Sequence, residues 1–196
     1  MKAFLSERRL AKITSVVTSR QFTLRVVLEN IHDPHNVSAI FRTCDSAGIP
    51  KVSLIYYQEK FPKIGKKSSA SAFKWIDKEK FSTVSDCYAS LRNEGFKIYA
   101  SSISEDAMDI YKLDFKQKVA IVLGNEHRGA SDEAIKLSDR KFRIPMYGMV
   151  QSLNVSVAAG VVLYEALRQR VKKGFYISSE LNQTELEEII GKWARK

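Results

Sequence analysis

The sequence predicts an α/β domain with a mostly parallel sheet, and three observations carry that expectation. Short β-branched runs alternate with stretches of helical period along the chain. One run, Val119–Leu123, is almost continuously apolar, as a strand covered on both faces requires. The 196 residues, 44% of them apolar, suffice for one core without covalent staples.

The elements follow in order. Phe22–Leu28 (FTLRVVL) is a β-branched run ending at Glu29-Asn30, a first strand. Asn36–Ala47 sets Val37, Ile40, Phe41 and Cys44 at helical spacing, and Gly48 stops it. Lys51–Tyr57 reads as a second strand. In Phe61–Ser71 (FPKIGKKSSAS), Pro, Gly and Ser break any period, so a mobile basic loop is expected. Phe81–Asn93 carries Val84, Tyr88 and Leu91 on one helical face and ends before Gly95. Lys97–Ala100 and Val119–Leu123 are strands, Ser131–Leu137 a short helix, and Lys141–Ile144 a strand closed by Pro145. Ser152 is placed to cap a long helix from Leu153 to about Lys172, with Gly174 ending it. Its VSVAAG first half is small enough for another backbone to come close. Glu180–Arg195 is a last amphipathic helix, with Leu181, Leu186, Ile189, Ile190 and Trp193 on its apolar side.

Charge narrows the function class. Thirty-two Lys and Arg against 22 Asp and Glu give +10. Residues 1–25 hold six bases and one acid, and residues 60–80 hold seven bases and two acids, so these two blocks contain the whole excess. Charge gathered in blocks fits a polyanion footprint, whose phosphates release counterions when neutralised, and an ordinary solvated lysine surface equally well. Arg8, Arg9 and Lys12 interrupt the N-terminus, so no signal peptide is expected, and no apolar run reaches a membrane-spanning length. Cys44 and Cys87 form no paired or metal-spaced framework, which suits a reducing, cytoplasmic setting.

Several familiar chemistries find no support. Gly124-Asn-Glu-His-Arg-Gly129 has the gap of a phosphate loop, but Ala130-Ser131 replaces its Lys-Ser/Thr. No G-x-G-x-x-G follows the first strand. His32, His35 and Cys44 match no common zinc spacing, so no metal is expected. Ser152 lacks the G-x-S-x-G context of a hydrolase nucleophile.

Ligands of open α/β sheets bind at the carboxyl ends of strands, and three polar segments fall there. In the first, Asn36 starts a helix and Arg42 lies six residues on, about 1.7 turns, so the two share no stripe. An i, i+3 pairing of Arg42 with Asp45 is the plain structural alternative. In the second, a buried strand runs into Gly124, where backbone can approach a ligand, followed by Asn125 and Glu126. In the third, the loop Ile144–Gln151 leads into Ser152 and Asn154 at a helix start.

Together, Asn36-x5-Arg42, LGNEHRGAS and IPMYGMVQSLNVSVAAG closely resemble the three signature motifs of the SpoU family within the SPOUT methyltransferases. The resemblance spans about residues 20–172. It implies a basic N-terminal helical extension over 1–20, a catalytic domain with a C-terminal trefoil knot over 21–173, and a C-terminal helical extension over 174–196. It also implies a homodimer that uses S-adenosylmethionine to methylate RNA at the ribose 2′-hydroxyl. The basic flanks and the RQRVKKGFY segment resemble the branch that modifies a guanosine of the tRNA D-loop, at position 18. Only about 20 residues precede the first strand, which favours tRNA over ribosomal RNA as substrate; a non-catalytic RNA-binding role is the reading from another class.

Carried over residue by residue, the resemblance makes Arg42 the central catalytic group. Asn36 and Asn154 position the ribose, Glu126 holds the motif geometry and Ser152 the loop. The adenosine is expected against Ser101, Gly124, Ile144 and Leu153, with Met149, Val150 and Ser152 completing the pocket. Arg8, Arg9, Lys12, Lys63, Lys66, Lys67, Lys172 and Lys173 are expected to grip RNA phosphates. Phe61, Phe73 or Trp75 are candidates to stack on a splayed base, with a place in the core or dimer the alternative and the preferred reading for Trp75.

Overall fold

A computed structural model describes residues 6–63 and 72–196. Its centre is a seven-stranded sheet in which every pairing is parallel. The strands are β1 (Leu24–Glu29), β2 (Lys51–Ile55), β3 (Asp77–Phe81), β4 (Lys97–Ser101), β5 (Met108–Asp109), β6 (Val119–Leu123) and β7 (Arg140–Arg143). Their order is β3-β2-β1-β6-β4-β7-β5. The apolar run Val119–Leu123 is accordingly flanked by strands on both sides, with Val26 facing Ile121 and Tyr99 facing Ile121 in register.

Helices cover both faces, and the pleat sorts the core in two. Val26 and Leu28 of β1, with Ile121 and Leu123 of β6, point to one side. There they meet Val37, Ile40 and Phe41 of α2 (Pro34–Ser46) and Val162, Leu163 and Ala166 of α6 (Val155–Lys172). Val27, Ala120 and Val122 point to the other, against Val84, Tyr88 and Leu91 of α4 (Val84–Asn93) and Ala134 of α5 (Asp132–Leu137). Each fully buried Val or Leu contributes about 1.5–3 kcal/mol of burial free energy.

Outside this sandwich, α1 (Glu7–Thr18) packs on α7 (Gln183–Ala194) through Ile13, Val17 and Trp193. Trp193 also packs against Trp75 of the short α3 (Ala72–Trp75), ring centres 4.7 Å apart and planes tilted by 39°. Among the described residues no helix is long and apolar enough to cross a membrane.

Three differences from the sequence reading have physical causes. The edge strand β3 is built from Asp-Lys-Glu-Lys-Phe, whose exposed face carries no apolar alternation; Phe81 closes it, and α4 starts only after the Thr83 cap. Asn154, not Ser152, caps α6: its Oδ1 accepts from Ser156 N at 2.8 Å and Val157 N at 3.4 Å. Arg20 and Arg25, counted in the basic N-terminal block, are buried. Arg20 pairs with Asp45, donates to Ile49 O at 2.9 Å and lies over the Trp193 ring, while Arg25 pairs with Glu79 and Glu94. That block therefore presents fewer free cations than its composition implies.

Candidate active site

The loops after β4, β6 and β7 converge at the carboxyl end of the sheet around a cavity of about 520 Å³, and Glu126 of its lining holds the loop after β1. Ser101 and Ser102 line it from the end of β4, and Leu123 and Gly124 from the end of β6. Ile144–Met146 lie beyond β7, and Ser152, Leu153, Val155 and Val162 close it from the start of α6. Of the expected cofactor residues, the structure brings together Ser101, Gly124, Ile144, Ser152 and Leu153. Met149 and Val150 stand outside the lining, on an exposed stretch where Met149 is fully solvent-accessible.

Gly124 is required for a reason the sequence reading did not anticipate. A Cβ there would sit 1.9 Å from the nitrogen of Ala130 and 2.0 Å from the carbonyl carbon of Gly129. The close approach is made by the protein's own loop, which folds back over the strand end and is pinned by Asn125 N to Gly129 O at 2.9 Å and the reciprocal bond at 2.8 Å. Asn125 extends the brace to the neighbouring loop, donating from Nδ2 to Asn30 O at 2.7 Å. Asn30 adopts a left-handed φ of 50°, and its Oδ1 accepts the N–H groups of Tyr57, Gln58 and Glu59. One asparagine thus holds the β1 and β2 loops together.

The side chains of the three motifs form a continuous relay. Glu126 accepts the backbone N–H groups of His32 and Asp33, each at 3.0 Å, and the Asn36 amide at 3.0 Å. Asn36 turns its own carbonyl oxygen to the Asn154 amide at 3.0 Å, and Asn154 caps α6. Three segments separated by up to 118 residues are therefore locked by hydrogen bonds. Burial pushes the Glu126 carboxyl up, but the Asn36 amide and the backbone N–H groups outweigh it and hold the group below its usual range.

Arg42 lies on α2 beyond the buried Asn36, and its guanidinium is exposed. The alternative pairing with Asp45 does not form, because Asp45 is taken by Arg20. Among the described residues Arg42 has neither an ion pair nor a side-chain hydrogen bond, so it is available to a ligand. Ser152 is exposed at the cavity rim.

Sequence reasoning missed a second brace. Glu29 is almost completely buried, and its carboxylate accepts the Tyr57 hydroxyl at 2.8 Å and Ser131 N at 2.9 Å. It ties β1 to the cap of α5, and a carboxylate at a strand terminus was its one available signal. The candidate stacking aromatics are committed to packing: Phe73 lies 4.8 Å from Phe41 and 6.4 Å from Phe61, and Trp75 on Trp193. Arg8, Arg9, Lys12, Lys63, Lys172 and Lys173 are all exposed, while Lys66, Lys67 and most of the expected basic loop lie outside the described residues.

The sequence pattern of the SpoU rRNA Methylase family matches residues 23–164. The chain is 40% identical, over 97% of its own length and 98% of the relative's, to the tRNA (guanosine(18)-2′-O)-methyltransferase of Thermus thermophilus. It superposes on the TrmH/SpoU tRNA modifying enzyme of Aquifex aeolicus with a TM-score of 0.90 at 39% identity, covering 96% of this chain and 95% of that one. The SpoU methyltransferase AviRb of Streptomyces viridochromogenes, solved with AdoMet, matches with a TM-score of 0.68 at 26% identity over 79% of this chain and 62% of that one. With three motifs joined by hydrogen bonds and the family pattern running through most of the sequence, the chain belongs to the SpoU methylase family.

Proposed function

We propose that this protein transfers a methyl group from S-adenosylmethionine to the ribose 2′-hydroxyl of a guanosine in the tRNA D-loop, at position 18. The observation that carries the reading is the Glu126–Asn36–Asn154 relay, which fixes the helix bearing Arg42 against the rim of the cavity. Near-full-length similarity to enzymes bearing that activity supports the choice of substrate.

The cavity fits the methyl donor. About 520 Å³ lies in the range of small-ligand sites, and Leu123, Ile144, Leu153 and Val162 give it apolar walls suited to adenine. Ser101, Gly124, Ile144, Ser152 and Leu153 hold the nucleoside, with Met149 and Val150 folding in from the rim. When bound, S-adenosylmethionine supplies a methyl group already activated on a sulfonium.

The protein's task is then to position the hydroxyl and manage its proton. Arg42 is a poor base, since a guanidinium stays protonated in proteins. It acts as a cation that orients the phosphate beside the target ribose and stabilises the developing alkoxide, with phosphate or water accepting the proton. Asn36 and Asn154 orient the ribose, Glu126 keeps Asn36 in register and Ser152 steadies the loop.

Arg8, Arg9, Lys12, Lys63, Lys66, Lys67, Lys172 and Lys173 grip the tRNA backbone in the cytoplasm. The cavity-forming C-terminal part of the 21–173 domain is the trefoil knot, and residues 1–20 and 174–196 are its extensions. A homodimer is supported by Val157, Tyr164 and Val171 on α6, each about half exposed and seven residues apart, hence one apolar stripe. The test is methyl transfer to a tRNA transcript carrying 2′-deoxyguanosine at position 18. Transfer to the ribo transcript and none to the deoxy transcript is expected; equal labelling of both would overturn the 2′-hydroxyl assignment.

A further inference from the structure

A groove of about 600 Å³ opens where the segment leading into β6 runs along the C-terminal half of α6. Lys112 and Lys116 line it from that segment, and Arg168, Lys172 and Lys173 from the helix. Asp114 is its one carboxylate and pairs with Lys116 at 3.2 Å, while Arg168 pairs with Glu165 at 2.8 Å. Lys112, Lys172 and Lys173 form no ion pair among the described residues. The end of a helix tolerates cations near its last carbonyls, which accounts for Lys172 and Lys173 but not for Lys112 and Lys116.

The two walls are clamped. Gln169 donates to Leu113 O at 2.9 Å and accepts Phe115 N at 3.0 Å. The fully buried Arg170 donates to Phe115 O at 2.8 Å and to Gln117 O at 2.7 Å. Four hydrogen bonds from two adjacent helix residues hold the lysine-bearing segment against α6, so the cations face a common groove in a fixed arrangement. An open row of separated cations suits a chain of phosphates better than one enclosed anion.

We propose that this groove is a second backbone-binding site for the RNA substrate, remote from the reacting ribose. The proposal rests on the methyltransferase reading above and extends its footprint. The 18 residues of α6 run from the Asn154 cap at the active site to Lys172, about 27 Å at 1.5 Å per residue. Contacts so distant act on substrate binding and leave the chemical step alone. They engage whole tRNA and not a D-arm hairpin, whose backbone stays close to the target ribose.

The test compares wild type with the double variant Lys112→Glu, Lys116→Glu on whole tRNA and on a D-arm hairpin, by steady-state transfer and by binding against salt. The expected result is a KM for whole tRNA raised about tenfold with kcat retained, a shallower salt dependence, and an unaltered KM for the hairpin. Unchanged KM and salt slope on whole tRNA would overturn the site, as would equal weakening on both RNAs. Wild-type protein that methylates neither RNA would instead remove the methyltransferase reading itself, so the two failures are distinguishable.

Discussion

Arg42 stands exposed on α2 while its neighbour Asp45 is held by Arg20, so among the described residues its guanidinium is left without an ion pair. Arg42→Ala is expected to lower single-turnover transfer by about 10²–10³-fold, the scale for losing one charge-stabilising donor, with cofactor affinity measured by calorimetry nearly intact. Glu126 carries a pH dependence whose sign follows from its depressed titration. The ionised carboxylate holds the His32–Asn36 turn; that stabilisation is full above the ordinary carboxylate range and is lost as pH falls through the lower folded value. Cofactor binding should therefore decline in acid, and Glu126→Gln should flatten that acid limb and speed hydrogen exchange at His32 and Asp33. An identical acid limb in the variant would move the dependence to another group. The residue types of this site were legible as three motifs, but their connection was not. Asn36 and Glu126 are 90 positions apart, and only the adjacency of β1 and β6 brings them to 3.0 Å.

At the scale of elements, local chemistry was readable where burial and period agree. Val119–Leu123 is a central strand because both its faces meet helices, and α2 ends where Gly48 takes a φ of 78°. It was not readable where tertiary context decides. β3 exists because Lys51–Ile55 offers it an edge, and β5 is only two residues long. Ser152 and Asn154 are both competent caps, and the bond to Asn36 favours the second. The pairing of α1 with α7 joins the two ends of the chain and places Arg8, Arg9 and Lys12 on a packed helix. Trp193→Ala should cost about 3–5 kcal/mol of local stability, the range for a buried aromatic truncation. Hydrogen exchange should rise in α1 and α7 before the central strands, with tRNA affinity falling alongside. Unchanged protection in α1 would detach the N-terminal helix from that contact.

Over the whole molecule, the excess positive charge is less concentrated than the sequence implies. Arg20, Arg25 and Arg170 are buried structural cations, each engaged by carboxylates or backbone carbonyls. Composition counts them with the exposed lysines, since burial depends on the fold and not on charge. Among the described residues, exposed cations include those on α1, Lys63 and those along the groove beside α6, while the carboxyl end of the sheet holds the cavity. On the proposed reading, these cations serve tRNA phosphates while the cavity holds the methyl donor. The most direct test is transfer from labelled S-adenosylmethionine to unmodified bulk tRNA, followed by mapping of the labelled nucleotide. The account predicts 2′-O-methylguanosine in the D-loop. RNA that is bound yet unlabelled, or label confined to ribosomal RNA, would contradict it.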